Sequence, residues 1–213
     1  MRAQRVDHPA IVRLCHWASA IAIPILIASG LEVFAAFPSF GSKLPQRDLF
    51  VPPESVRLGG WLGGALQWHL AFAWIFLMTG AVYIGYQAAT RHYRQVVFSH
   101  ADARGVWPMV RHYFFFGPRP YQADTYNPLQ KLAYTTVVAV GAVLVATGLA
   151  LYKPVQLSEL LWLFGGLRLT RIWHFSAMSV LVAFIPGHLI MVALHGWSNF
   201  ASMWTGGRQF SIR

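Results

Sequence analysis

The sequence predicts an all-α, integral-membrane four-helix bundle with both termini on the cytoplasmic side. Three observations carry that prediction. First, 56% of the 213 residues are hydrophobic and only 11% are charged, against roughly 25% charged in an average soluble domain. Second, the apolar residues are clustered: no Asp, Glu, Lys or Arg lies between Arg13 and Glu32, between Arg57 and Arg91, between Lys131 and Lys153, or between Arg171 and Arg208. A helix needs about 20 mainly apolar residues to cross the hydrocarbon core, which places spans near 12–36, 63–87, 130–152 and 172–196. Third, the basic residues are distributed unevenly. Of the 17 Lys and Arg, six (Lys43, Arg47, Arg57, Lys153, Arg168 and Arg171) fall on the side opposite the termini. The other eleven fall on the side of the termini, which the positive-inside rule makes cytoplasmic.

The first span has a basic start, but its apolar run is longer than a signal-peptide core and no convincing cleavage site follows, so it reads as a mature helix. The outer loop after it, roughly 37–62, is rich in Pro and Gly and long enough to form a contact surface. Between the second and third spans, roughly 88–129, the stretch "GVWPMVRHYFFFG" mixes aromatic and basic residues, as a segment lying on the membrane surface does. The second outer loop, roughly 153–171, carries "LSELLWLFGG", which suits a short interfacial helix. No internal repeat is evident, and 1–213 reads as a single domain. The net charge of +10 is a topology signal and an attraction to anionic lipid; the basic residues are dispersed and form no nucleic-acid motif. The lone Cys15 cannot make an internal disulfide or a cysteine metal cluster and reads as a small apolar filler.

The fourth span, "RIWHFSAMSVLVAFIPGHLIMVALHGW", carries His174, His188 and His195. Ionisable side chains inside a bilayer are costly and are retained for function. The nine histidines divide by place. His8, His92, His100 and His112 lie in the tail or the inner loop and read as solvated or interfacial. His16, His69, His174, His188 and His195 lie in or at the spans. Depth sorts them further. His16 is near the cytoplasmic end of the first span and His69 near the outer end of the second. His174 is near the outer end of the fourth span, and His188 is 14 residues, about 21 Å, closer to the cytoplasm. Two levels therefore receive two histidines each: His69 with His174 outside, His16 with His188 inside.

Fourteen residues at about 100° each return to nearly the same face, so His174 and His188 share one stripe of their helix. Pairs of neutral imidazoles from different helices at two depths suit two six-coordinate haems clamped across a bundle. Zinc fits less well, since pairs about 20 Å apart do not make one tetrahedral site. A proton relay would include buried carboxylates, and only Glu32 lies near a span. His195 shares the stripe but falls about 10 Å beyond His188, overshooting His16; interfacial placement is its simplest reading. Gly30 and Gly80, nearly in phase with His16 and His69, would admit a flat macrocycle close to the backbone or serve tight helix packing. Gly141 and Gly148 suggest that the third span packs rather than ligates. Pro186, just before His188, lacks a backbone donor and would kink the helix beside that ligand. Arg13, Arg168 and Arg171 flank the levels and are placed either to meet haem propionates or simply to mark the flanks.

These residues resemble a known family. An "HW" early in the first helix, a histidine at the head of the second and two histidines 14 apart in the fourth are similar to the four-helix, dihaem b-type cytochrome subunits of nickel–iron hydrogenases, formate dehydrogenases and thiosulfate reductases. Bacterial cytochrome b561 proteins are relatives of these. "YNPLQKLAY" (Tyr126 to Tyr134) resembles the Asn-x-x-Gln-Lys signature of the formate dehydrogenase and thiosulfate reductase members. The resemblance implies two haem b groups, with His69 and His174 on one and His16 and His188 on the other. It also implies a quinone site on the cytoplasmic side, with Asn127 and Gln130 as candidates to bond a quinone oxygen; the alternative is that Asn127 caps the third helix. A further implication is a hydrophilic periplasmic oxidoreductase partner, such as a molybdenum enzyme or hydrogenase, in a bacterial inner-membrane complex. The competing reading is a stand-alone quinone-linked enzyme acting on a small species such as superoxide, steered by a basic outer funnel of Lys43, Arg47, Arg57, Lys153, Arg168 and Arg171, offset by Asp48, Glu54 and Glu159.

Overall fold

The structure is a computed structural model. It describes residues 8–38, 40, 50–115, 117–118, 120, 126–195 and 197–206. Lys43, Arg47 and Asp48, expected to shape the outer funnel, lie outside the described residues, as do Arg119 and Arg208 among the flanking charges.

Four helices are long and apolar enough to cross a membrane: α1 (Ala10–Ala36), α2 (Leu62–Thr90), α5 (Pro128–Tyr152) and α7 (Gly166–His195). Shorter helices decorate the connections: α3 (Tyr93–Val96) and α4 (Ala103–Phe115) between α2 and α5, α6 (Ser158–Leu163) before α7, and α8 (Trp197–Thr205) after it. No strand occurs among the described residues. The long helices are apolar on every face, as helices surrounded by lipid are, and Leu14, Trp74, Met78, Leu189 and Ile190 all point outward.

Local chemistry sets the helix ends. Asn127 caps α5 with a reciprocal capping box, its Oδ1 accepting from Gln130 N while Gln130 Oε1 accepts from Asn127 N, and Pro128 opens the first turn. This realises the capping alternative for Asn127. α2 stops at Arg91 in the left-handed conformation, φ 56°. α7 starts six residues before the predicted boundary, because Gly165 and Gly166, at φ 81° and 87°, turn the chain sharply and the helix forms at once. α7 then continues as one helix through Pro186.

The bundle is made of two antiparallel pairs, α1 with α2 and α5 with α7, each closely packed, while the pairs approach one another much less closely. Small residues allow the close packing: Ala22, Ser29, Ala65, Thr147 and Ala150 are completely buried. At the end of the bundle away from the termini, Leu58 N donates to Ala28 O and Arg57 pairs with Glu32 at 3.1 Å, so the one carboxylate near a span is matched by a guanidinium. At the other end, α8 folds back on α1: Trp17 Nε1 donates to Met203 O at 3.1 Å, and the Trp17 and Trp204 rings lie 4.2 Å apart. The α2–α5 connection is pinned to α5 by Lys131 Nζ to Asp102 Oδ1 at 2.9 Å and by Phe98 N donating to Thr135 Oγ1 at 2.8 Å.

Candidate functional site

Histidines from the two helix pairs come together at two levels. At the level farther from α8, which the sequence expects to be the outer one, the rings of His69 (α2) and His174 (α7) have centroids 6.3 Å apart and planes 64° apart. At the α8 end, His16 (α1) and His188 (α7) are 6.1 Å and 52° apart. Both separations lie at the wide end of the range for aromatic pairs. First-row metals bind imidazole nitrogen at about 2 Å, so each separation accommodates one metal atom bonded to both rings. Among the described residues no three His, Cys, Asp or Glu side chains converge on a metal site, which leaves a pair-ligated centre as the arrangement these residues can make.

The outer imidazoles are held by hydroxyl groups on the helix next to each. Ser29 Oγ lies 3.1 Å from His69 Nδ1, and Thr147 Oγ1 lies 2.9 Å from His174 Nδ1. Each hydroxyl spends its own proton on a carbonyl one turn back, Ser29 to Ile25 O and Thr147 to Val143 O, both at 2.6 Å. The hydroxyl oxygen must therefore accept from Nδ1–H. That fixes the proton on Nδ1 and leaves the Nε2 lone pair for a metal, the usual outer-shell device for a ligating histidine. The residue after each hydroxyl is glycine. A Cβ at Gly30 would stand 3.2 Å from His69 Cε1, and one at Gly148 would stand 3.3 Å from His174 Cε1. Gly148 is thus a packing residue, as the sequence suggested, and what it packs against is a candidate ligand.

The other pair is held differently. His16 meets Trp17 edge-on at 5.1 Å, and His188 stacks on Phe184 at 5.5 Å. His16 Nδ1 is buried without a hydrogen-bond partner. Aromatic walls rather than hydroxyl shelves set these rings.

An equivalence between the helix pairs emerges from the register. Gly30 faces His69, Gly148 faces His174, and Gly141 faces Phe76, which fixes the levels of all four antiparallel helices. Fourteen residues from each outer-level position lies an inner-level one: Gly30 to His16, His69 to Tyr83, Gly148 to Tyr134 and His174 to His188. Exchanging one helix pair for the other maps the outer level on itself. It maps His16 and His188 onto Tyr134 and Tyr83. The sequence showed no repeat because the matching residues are few and lie on interrupted stripes.

Other predicted residues are placed as follows. Arg13 donates to Trp204 O, beside Gly206, and its Nε is buried without a partner. Arg171 donates to Phe37 O at 3.1 Å. Both therefore stand at the ends of the bundle with part of their guanidinium tied to backbone. Asn127 and Gln130 lie near the α8 end of α5 with their oxygens committed to the capping box, and Asn127 Nδ2 approaches Tyr113 Oη at 3.4 Å. His195 is the last residue of α7. Arg57, counted in the basic funnel, is neutralised by Glu32 and Glu54, and Lys153 sits over the Tyr152 ring.

Sequence reasoning missed Ser29 and Thr147. The available signal was a hydroxyl–glycine step, "SG" in α1 and "TG" in α5, at the depth of the outer histidines. Small residues are common in membrane helices, so the signal is distinctive only once the facing ring is known.

The residues fit haem: two imidazole pairs, each at a separation that accommodates one iron, with glycines that let the outer imidazoles close on the neighbouring helix. The comparisons with known proteins agree. Residues 7–206 match the prokaryotic cytochrome b561 family. The chain is 36% identical over 203 residues (88% of this chain, 90% of the relative) to a putative protein-methionine-sulfoxide reductase subunit YedZ1 of Azospira oryzae. It is 28% identical over 203 residues (87% and 79%) to a probable Ni/Fe-hydrogenase B-type cytochrome subunit of Azotobacter chroococcum. A probable Ni/Fe-hydrogenase 1 B-type cytochrome subunit of Escherichia coli is 22% identical over 193 residues (85% and 79%). No solved structure matches the chain. With four candidate membrane spans and this match, the chain belongs to the prokaryotic cytochrome b561 family of multi-pass, haem b-type electron-transfer proteins.

Proposed function

We propose that this chain is the membrane subunit of a bacterial inner-membrane oxidoreductase, linking a periplasmic partner to the quinone pool through two haem b sites. The observation that carries the reading is the pair of imidazole pairs sharing α7, His69 with His174 and His16 with His188. His69 with His174, and His16 with His188, would each hold one haem, which would supply one-electron ferric/ferrous chemistry.

The protein's part is to hold and orient. His69 and His174 present Nε2 because Ser29 and Thr147 engage Nδ1. Neutral imidazoles place no protonated charge in the bilayer. Arg13 and Arg171, at opposite ends of the bundle, are positioned to meet acidic groups at its rims. The excess of Lys and Arg beside the termini supports a cytoplasmic position for the His16–His188 level. The names of the relatives, subunits of a sulfoxide reductase and of hydrogenases, support an oxidoreductase partner. Asn127 and Gln130 lie at the end of the bundle where a quinone would be met.

Haem quantitation on purified protein, with a reduced-minus-oxidised spectrum, tests the core of this. Two b haems per chain are expected. One haem or none would overturn it, as would full haem content in both His174→Ala and His188→Ala. Copurification of a second oxidoreductase polypeptide from native membranes tests the partner.

A further inference from the structure

The equivalence between the helix pairs leaves one inner-level seam without histidines. Between α2 and α5, at the level of His16 and His188, stand Tyr83 and Tyr134. Tyr134 lies within electrostatic range of Tyr83 and Tyr126, and the Tyr126 ring meets the Tyr134 ring edge-on at 5.6 Å. One turn along α2, Gln87 Nε2 donates to Tyr83 Oη at 2.7 Å. Gln87 is only 8% exposed, and its Oε1 is buried with no hydrogen-bond partner. A buried amide oxygen left unpaired is costly and calls for a donor. Gly80, on the same stripe of α2, would place a Cβ in open space. Tyr134 keeps 36% of its surface exposed, so the seam is not closed over.

We propose that this seam, where Tyr83, Tyr126, Tyr134 and Gln87 come together, binds the head group of a quinol or quinone whose tail lies in the bilayer. The proposal rests on the quinone link proposed above and gives it a location. Three features of the ligand match three of the site. A flat aromatic ring suits phenol walls. A quinol hydroxyl supplies the donor that Gln87 Oε1 lacks. Because an amide can rotate, Gln87 Nε2 can instead donate to a quinone carbonyl, and a phenol can both donate and accept, so the same residues serve both forms of the ligand. Burial, and then the neighbouring Tyr83 phenol, push the Tyr126 hydroxyl above its ordinary range, so it keeps its proton and remains a donor. The seam shares its level with His16 and His188, where a redox partner for the ligand would stand.

The test uses purified, haem-loaded protein in detergent, titrated with decylubiquinone and with menadione. Binding is followed by quenching of protein fluorescence, with the haem spectrum as the check on folding. Gln87→Leu and Tyr134→Phe are each expected to weaken binding by about tenfold, the effect of losing one buried hydrogen bond, with haem content kept. Gln87→Glu, which keeps an acceptor, is expected to stay nearer the wild type with the quinol forms of both probes. If Gln87→Leu disturbs the haem spectrum, Tyr134→Phe and Tyr83→Phe decide instead. Wild-type affinity in the leucine and phenylalanine variants, with loss only in Asn127→Ala, overturns this site and leaves the quinone link standing; it assigns the Gln87 oxygen to a trapped water. Failure of both probes to bind the wild-type protein overturns the link itself.

Discussion

Thr147 Oγ1 stands 2.9 Å from His174 Nδ1 while its own proton goes to Val143 O, so one hydroxyl on α5 decides which nitrogen of a histidine on α7 is free. Ser29 does the same for His69 from α1. Ser29→Ala and Thr147→Val should each loosen the outer haem site by about 10–100-fold, the usual effect of removing an outer-shell partner. Haem retention during dilution, read with the b-band spectrum, measures this. Equal loss from both sites would show that the hydroxyls act on overall stability and not on their own histidines.

The glycines after these hydroxyls make a second prediction. Gly30→Val and Gly148→Val put bulk where even a Cβ would be 3.2 Å or 3.3 Å from the imidazole, so the ring must swing away and the outer site should lose half or more of its haem. Gly85→Ala, where a Cβ meets nothing within 4 Å, is the matched control. It should keep full haem content and gain up to about 1 kcal/mol of helix stability.

The histidine pairs should separate by mutation. His69→Ala and His174→Ala should empty the same spectral component, and His16→Ala and His188→Ala the other. A redox titration of each variant reads this directly. A variant pair that crosses levels, such as His69 behaving like His16, would refute the assignment by depth.

The Asp102–Lys131 pair should act as a latch for the α2–α5 connection. Its two side chains are almost fully buried, so Lys131→Met strands a carboxylate and should lower the melting temperature on the order of 5–10 °C. The Ser99 hydroxyl first, and the Lys131 ammonium with it, hold the Asp102 carboxyl below its ordinary range. A depressed folded value means the latch contributes fully above the unfolded value of about 3.9. That contribution fades as the pH falls through the lower folded value. Protease access to 88–129 should therefore be flat from neutral pH to about 5 and rise only in stronger acid. A rise centred near pH 6–7 would mean histidines, not Asp102, control the segment.

The four spans, the depth of each histidine and the common stripe of His174 and His188 follow from the sequence alone. Hydrophobic run length and the helix period are local properties, so counting residues recovers height along a helix and the direction of a face. Depth even matched His69 to His174 and His16 to His188, because antiparallel helices of similar length leave few ways to place rings at equal height. What only the tertiary structure decided is which small polar neighbour meets each ring. Ser29 and Thr147 look like any packing residues until the rotation and register of adjacent helices bring them to Nδ1. The Gln130 amide looked free for a ligand until the turn before α5 spent its oxygen on a cap. The Tyr83–Tyr134 seam depends on the register between the two helix pairs. Contacts across helices depend on relative rotation and shift, and those are set by the packing of all four helices at once, which no single segment of the sequence encodes.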